Sequence, residues 1–303
     1  MRLFWRRLLA KAKHLRLPGF PTVRIGTVLV LFWENLTHPM FTIRGGAMAF
    51  SFFFALFPGL LFALMLISYL PFEDFERLFQ QQLGQILPSP AYELVHDVVF
   101  EGIYQKRNFT LLSVSLFLAL YSLWQGMITM LRAFFHEGLP QPPFWVLWLR
   151  ALGLVGVLLL LILANLAFSF IQAHHLVAWI EALADSPLGP FFSSLVGLIK
   201  FLLLFAVVCI AVEVIYRAGL PRLRLPYWIS PGAVLATFLL GAAMKLLSWY
   251  FLAVANFSRF YGSIAAVIAL MVWFYWLSLV LLVGFEVNYS LYRSVLLSAS
   301  GER

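Results

Sequence analysis

The 303 residues predict an all-α, polytopic membrane fold, on three observations. Six stretches, 46–70, 109–131, 144–170, 191–216, 228–253 and 262–292, are apolar for longer than a bilayer is thick. A spanning helix needs about 20 such residues, each rising about 1.5 Å against a hydrocarbon core of about 30 Å. Hydrophobic residues make up 63% of the chain and charged residues 11%, with a mean hydropathy of +0.92, which leaves too little polar surface to coat a water-soluble fold. Basic residues are also unevenly distributed. If the N-terminus is cytoplasmic, fifteen of the 21 Lys and Arg fall on the inner side, four on the outer side and two within spans. That positive-inside bias predicts a multi-pass membrane protein with both termini in the cytoplasm.

Residues 1–43 read as a basic N-terminal segment. Its apolar stretch 25–33 is short, leads into Glu34 and Asn35, and lacks a small-residue cleavage site, so it does not resemble a signal peptide. Arg and Lys interleaved with Leu3, Phe4, Trp5, Leu8 and Leu9 suggest an amphipathic stretch on the inner membrane face; a solvated basic tail is the plainer reading. Residues 44–292 form the six-helix domain. Its first span opens with Arg44-Gly45-Gly46-Ala47, where small residues allow close helix approach. Pro58-Gly59 then frees a backbone carbonyl and predicts a kink, read as a hinge or cavity wall against simple packing.

The first outer connection, 71–108, carries apolar residues at helical spacing on either side of Leu87-Pro88. Two short amphipathic helices over about 72–106 are expected, the second starting at Ser89-Pro90. The inner connections 137–143 and 218–226 are short and rich in proline, and 171–190 is an outer connection without Lys or Arg. Cys209, the single cysteine, sits inside the fourth span and reads as a buried inert thiol. Residues 293–303 read as a cytoplasmic tail.

Ionisable side chains at membrane depth are expensive and by default mark a function or a pair. Two layers emerge. Near the inner face lie Arg44, Arg132, Arg150, Glu213 and Glu286, the two glutamates being the only acids in spans. They read as an inner gate or, more plainly, as ion pairs stapling helices together. The outer layer is net positive: Lys200 and Lys245 lie inside spans four and five, with Asn165, Ser169 and Gln172 from span three and Asn256, Arg259 and Tyr261 near the turn between spans five and six. Lys200 can snorkel to an interface. Lys245 lies too deep for that, so Lys200, Lys245, Asn165, Asn256, Arg259 and Tyr261 are the candidate ligands for an anionic head group.

Catalytic signals are missing. The sequence has no P-loop, nucleophile elbow, H-E-x-x-H or metallo-hydrolase run of His and Asp, and His174-His175 point about 100° apart on a helix. No enzyme activity, catalytic residue, metal or cofactor is expected. The net charge of +8 is explained by orientation and by contact with anionic lipid, so nucleic acid is not an expected partner.

An ordered set of segments resembles the YihY/BrkB family of bacterial inner-membrane proteins. These are Arg44-Gly45-Gly46-Ala47, Ser230-Pro231-Gly232-Ala233, Tyr261-Gly262-Ser263, Trp273-Phe274-Tyr275 and Gly284-Phe285-Glu286-Val287-Asn288. The match by motif places Arg44, Pro58, Tyr261, Gly262, Trp273, Gly284, Glu286 and Asn288 at family positions. The resemblance implies six helices, an unsettled activity and links to serum resistance, hence to virulence, and to envelope lipid or lipopolysaccharide export. It also implies that an earlier ribonuclease BN label was a misassignment.

The expected function is transport or translocation of an anionic lipid or amphiphile in envelope biogenesis, with anionic phospholipid or a lipopolysaccharide precursor as partner. The alternative is a non-transporting scaffold that anchors a periplasmic envelope protein. Metal-dependent RNA cleavage, lost on mutating a histidine, would revive the nuclease reading.

Overall fold

The computed structural model describes residues 16–17, 20–67, 109–136, 142–171, 189–219, 228–254 and 263–300. A short antiparallel pair comes first, β1 (Arg16–Leu17) with β2 (Phe20–Arg24). Seven helices follow among the described residues: α1 (Ile25–Thr37), α2 (Pro39–Ile67), α3 (Phe109–Ala133), α4 (Phe144–Ile171), α5 (Gly189–Gly219), α6 (Pro231–Val254) and α7 (Ser263–Ser300). The expected outer helices over 72–106 lie outside the described residues.

Five helices, α2, α3, α4, α5 and α7, are long and apolar enough to cross a membrane. In α6 the apolar stretch among residues with described side chains is Pro231–Leu246. Large apolar side chains cover the outside of these helices, among them Phe117 at 70% exposure and Phe201 at 62%. That inversion of the soluble pattern is what a hydrocarbon solvent demands.

Helix starts follow local chemistry. Pro39 opens α2 behind His38, whose Nδ1 accepts the Met40 N–H at 3.3 Å. Pro142 and Pro143 precede α4, and the Pro143 carbonyl accepts the N–H groups of Val146 and Leu147. Proline suits the first helical turn because its missing N–H would be unpaired there anyway. Helical assignment runs straight through Pro58 within α2. At the two chain ends the helices extend further than the apolar pattern alone suggests. Helix α1 occupies much of the basic N-terminal segment, and α7 continues to Ser300 through residues read as a tail. The reason is tertiary contact: Val28 of α1 packs against Leu291, Val287 and Val295 of α7, and Asn35 Nδ2 donates to Ser290 Oγ at 3.4 Å.

The chain clusters into two compact units. The first holds α1 to Leu36, His136, α4, α5, α6 to Phe238 and α7 from Val283. The second holds α2, α3, α6 from Leu239 and α7 to Leu282. Within the second unit α2 and α3 run antiparallel. Arg44 Nη1 donates to the Ala133 carbonyl at 3.0 Å, Ser51 Oγ donates to Thr129 Oγ1 at 3.2 Å, and Phe52 lies over Gly126. Arg44 therefore caps the last turn of α3, where carbonyls lack intrahelical partners and a cation is favoured.

Candidate functional site

A buried polar cluster in the first unit joins α5, the start of α6 and the second half of α7. Ser230 sits at the N-cap of α6, followed by Pro231 at the first helical position, and its Oγ accepts the Ala233 N–H at 3.3 Å. Glu213 of α5 reaches this helix start: its Oε2 accepts the Ser230 N–H at 2.9 Å and the Ser230 hydroxyl at 2.5 Å. Asn288 of α7 completes the cap. Its Oδ1 accepts the Gly232 N–H at 2.9 Å and its Nδ2 donates to Ser230 Oγ at 2.8 Å. The Ser230 hydroxyl thus gives its one proton and fills both acceptor positions. Two partners in opposite sense fix the Asn288 amide in one orientation.

Ser230 and Asn288 are each 1% exposed. A carboxylate at a helix N-terminus is favoured by the positive end of the helix dipole and by the free N–H groups there. Glu213 receives a further contact from its own helix, Arg217 Nε at 2.7 Å, four residues on. Arg217 Nη2 also donates to the Trp228 carbonyl at 2.7 Å, tying α5 to the segment that leads into α6.

Close approach of two glycines makes this geometry reachable. A methyl group at Gly232 would strike the Gly284 carbonyl oxygen and lie 2.6 Å from Asn288 Oδ1. One at Gly284 would lie 2.6 Å from the Gly232 carbonyl oxygen and 2.7 Å from Ala236 Cβ, and would also strike the Tyr216 hydroxyl. Helices α6 and α7 therefore touch backbone to backbone, the small-residue packing that membrane helices favour.

Two positions before Asn288, and so turned about 200° from it around α7, Glu286 is fully buried and faces His136, the residue three positions beyond α3. His136 Nε2 lies 2.9 Å and 3.0 Å from the two carboxylate oxygens, within hydrogen-bond distance of both. The imidazole stacks on Tyr289 at a centroid distance of 3.7 Å and lies parallel to Phe285 at 6.2 Å. Aromatic walls on the ring limit water access to the pair and strengthen its electrostatics.

The inner-layer candidates are thus distributed as follows. Glu213 and Glu286 are both buried, each with a cationic or imidazole partner. Arg150 Nη1 donates to the Ala218 carbonyl at 3.2 Å, capping α5, and Arg44 caps α3. Arg132 is exposed near the end of α3. Pro58 and Gly59 are half-buried in α2, and nothing crowds Gly59.

Of the outer layer, Lys245 is exposed on α6. Asn165 belongs to α4 and Lys200 to α5, and their side chains fall outside what is described. Asn256, Arg259 and Tyr261 lie outside the described residues. His136, Arg217 and Ser230 were absent from the site candidates. Arg217 carried a usable signal, its i+4 spacing from Glu213. His136 carried none, since its partner lies 150 positions away in sequence.

The family model described as virulence factor BrkB matches residues 32–302. The chain belongs to this family. It is also 29% identical over 264 residues to the ribonuclease-like protein YfkH of Bacillus subtilis (strain 168), covering 82% of this chain and 90% of that protein. No solved structure matches it. This BrkB-family chain is an integral membrane protein, and two of the motifs that carried the resemblance, 230–233 and 284–288, meet at the Gly232–Gly284 crossing.

Proposed function

We propose that this protein crosses the bacterial inner membrane six times, with both termini cytoplasmic, and moves an anionic lipid or amphiphile between leaflets. The observation that carries this reading is Lys245. It is exposed on an apolar helix, about 21 Å from the start of α6 and about 14 Å from its end at 1.5 Å per residue. An ammonium held against hydrocarbon costs about 2.5–3.5 kcal/mol on insertion scales. Water or a phosphate-bearing head group beside it removes that cost, and a translocation path supplies both.

In this scheme the Glu213–Ser230–Asn288 cluster is a fixed anchor for α6. The Glu286–His136 pair is the part of the inner layer that opens. The ribonuclease-like description of YfkH is not carried over.

The test is reconstitution into vesicles carrying fluorescent phosphatidylglycerol in both leaflets, followed by reduction of the outer leaflet. Wild type is expected to expose the inner pool several times faster than empty vesicles. Lys245→Ala should lose most of that gain and Lys245→Arg should keep it. Equal rates for wild type, Lys245→Ala and empty vesicles would refute the proposal.

The scaffold reading is favoured by a different observation: every polar atom described at Ser230 and Asn288 serves to hold helices together. Cross-linking that recovers a stoichiometric periplasmic partner, with Lys245→Ala still supporting assembly, would favour it.

A further inference from the structure

Helix α3 carries a polar stripe that the expected charge layers do not include. Tyr121, Gln125, Thr129 and Arg132 follow one another at spacings of four, four and three, which places them on one helix face. Tyr121, Gln125 and Arg132 are exposed, and Thr129 is half-buried. From Gly126 onward the other residues are enclosed: Gly126, Met127, Ile128, Met130, Leu131 and Ala133 are all buried, while Ser122, Leu123 and Trp124 are half-buried.

The last turns of α3 are therefore apolar where protein surrounds them and polar where they are open. A lipid-facing surface should show the reverse, because uncompensated polar groups in hydrocarbon cost several kcal/mol each. Local bonds satisfy only part of the stripe. Gln125 Nε2 donates to the Tyr121 hydroxyl at 3.0 Å, and Thr129 Oγ1, at the edge of the stripe, donates to the Gln125 carbonyl at 3.0 Å and accepts from Ser51 Oγ of α2 at 3.2 Å. Among the described residues, the Gln125 side-chain oxygen and the Tyr121 hydroxyl proton have no partner. From Tyr121 to Arg132 the stripe runs about 16 Å along the helix, roughly half the hydrocarbon thickness.

We propose that this face of α3 lines a water-filled cleft that receives the phosphate-bearing head group of an anionic phospholipid. Arg132 meets the phosphate, and Gln125 and Tyr121 meet the polar groups attached to it. A guanidinium suits a phosphate because its donors form a planar fork that engages two oxygens together. The acyl chains remain in the surrounding hydrocarbon. This inference rests on the lipid-moving reading and adds a second contact surface to Lys245.

Accessibility of single cysteines tests it in the full-length protein, with Cys209→Ala as background. Gln125→Cys and Thr129→Cys are compared with Phe54→Cys, which replaces an exposed apolar residue of α2. A charged, membrane-impermeant methanethiosulfonate is applied to protein in phosphatidylcholine vesicles. Cysteines in the cleft should react at least about tenfold faster than Phe54→Cys, since the reactive thiolate needs water. Dihexanoyl phosphatidylglycerol should slow Gln125→Cys by about threefold or more, and Arg132→Gln should abolish that protection. Inorganic phosphate at the same concentration should not protect.

Equal labelling at Gln125→Cys and Phe54→Cys would overturn the cleft. A Gln125→Cys disulfide dimer would assign the stripe to a second copy of the chain and overturn the lipid site. Protection by inorganic phosphate alone would overturn the lipid assignment. Lipid movement with an unlabelled stripe sinks the cleft and spares the transport reading. A labelled, lipid-protected stripe without lipid movement does the opposite.

Discussion

Asn288 shows how much one side chain can hold. Its amide satisfies the Gly232 N–H and the Ser230 hydroxyl together, both out of reach of water. Asn288→Ala should lower stability by about 1–3 kcal/mol, read as a fall in melting temperature in detergent, because it strands a buried N–H. Ser230→Ala should cost a similar amount. The double variant should cost less than the two combined, by about 0.5 kcal/mol or more, since both remove parts of one network. An additive result would mean the two side chains act independently. At this scale the sequence was half legible. Glu213 and Glu286 stood out as the acids among apolar spans, because charge in hydrocarbon has no neutral explanation. Their partners were hidden. Ser230 entered only as part of a motif, and Arg217 only among the basic residues of the inner side. His136 pairs with Glu286 across a sequence separation that periodicity cannot bridge.

Helix contacts in this protein are decided by a few small residues. Gly284 lies against the backbone of Gly232, and backbone cannot move aside as a flexible side chain can. Gly284→Ala should therefore force α6 and α7 apart, at a cost of about 1–3 kcal/mol or more, and should break the Asn288 cap with it. Gly153→Ala and Gly156→Ala on α4 have open space around the new methyl and should stay within about 0.5 kcal/mol of wild type. Melting curves of the three variants under identical detergent conditions check this. Matching losses in all three would show that the Gly232–Gly284 crossing is not what sets the cost. Long apolar runs mark α2 to α7 in the sequence, because spans of this length have few other uses. The β1–β2 pair and the docked α1 were not legible. Their sequences are short, and contacts with α7 stabilise α1.

The whole molecule is governed by its solvent. Basic residues concentrated on alternate connections predict that both termini face the same compartment. Reporter fusions at residues 24 and 300 should report cytoplasmic exposure together, and opposite exposure would break the six-crossing topology. Helix α7 has 38 residues and is about 57 Å long, more than a bilayer with its head groups, so its terminal turns stand clear of the hydrocarbon. The two buried acids also differ in how they can reach the membrane during synthesis. Glu213 travels with its own counter-charge, Arg217, one turn later in the same helix, and can enter as a neutralised pair before α6 exists. Glu286 emerges last, with no Lys or Arg within one turn of it in the sequence, but the ribosome has delivered His136 150 residues earlier. Ordered translation alone therefore spares both carboxylates a solitary passage into oil: one brings its escort, and the other finds its escort waiting.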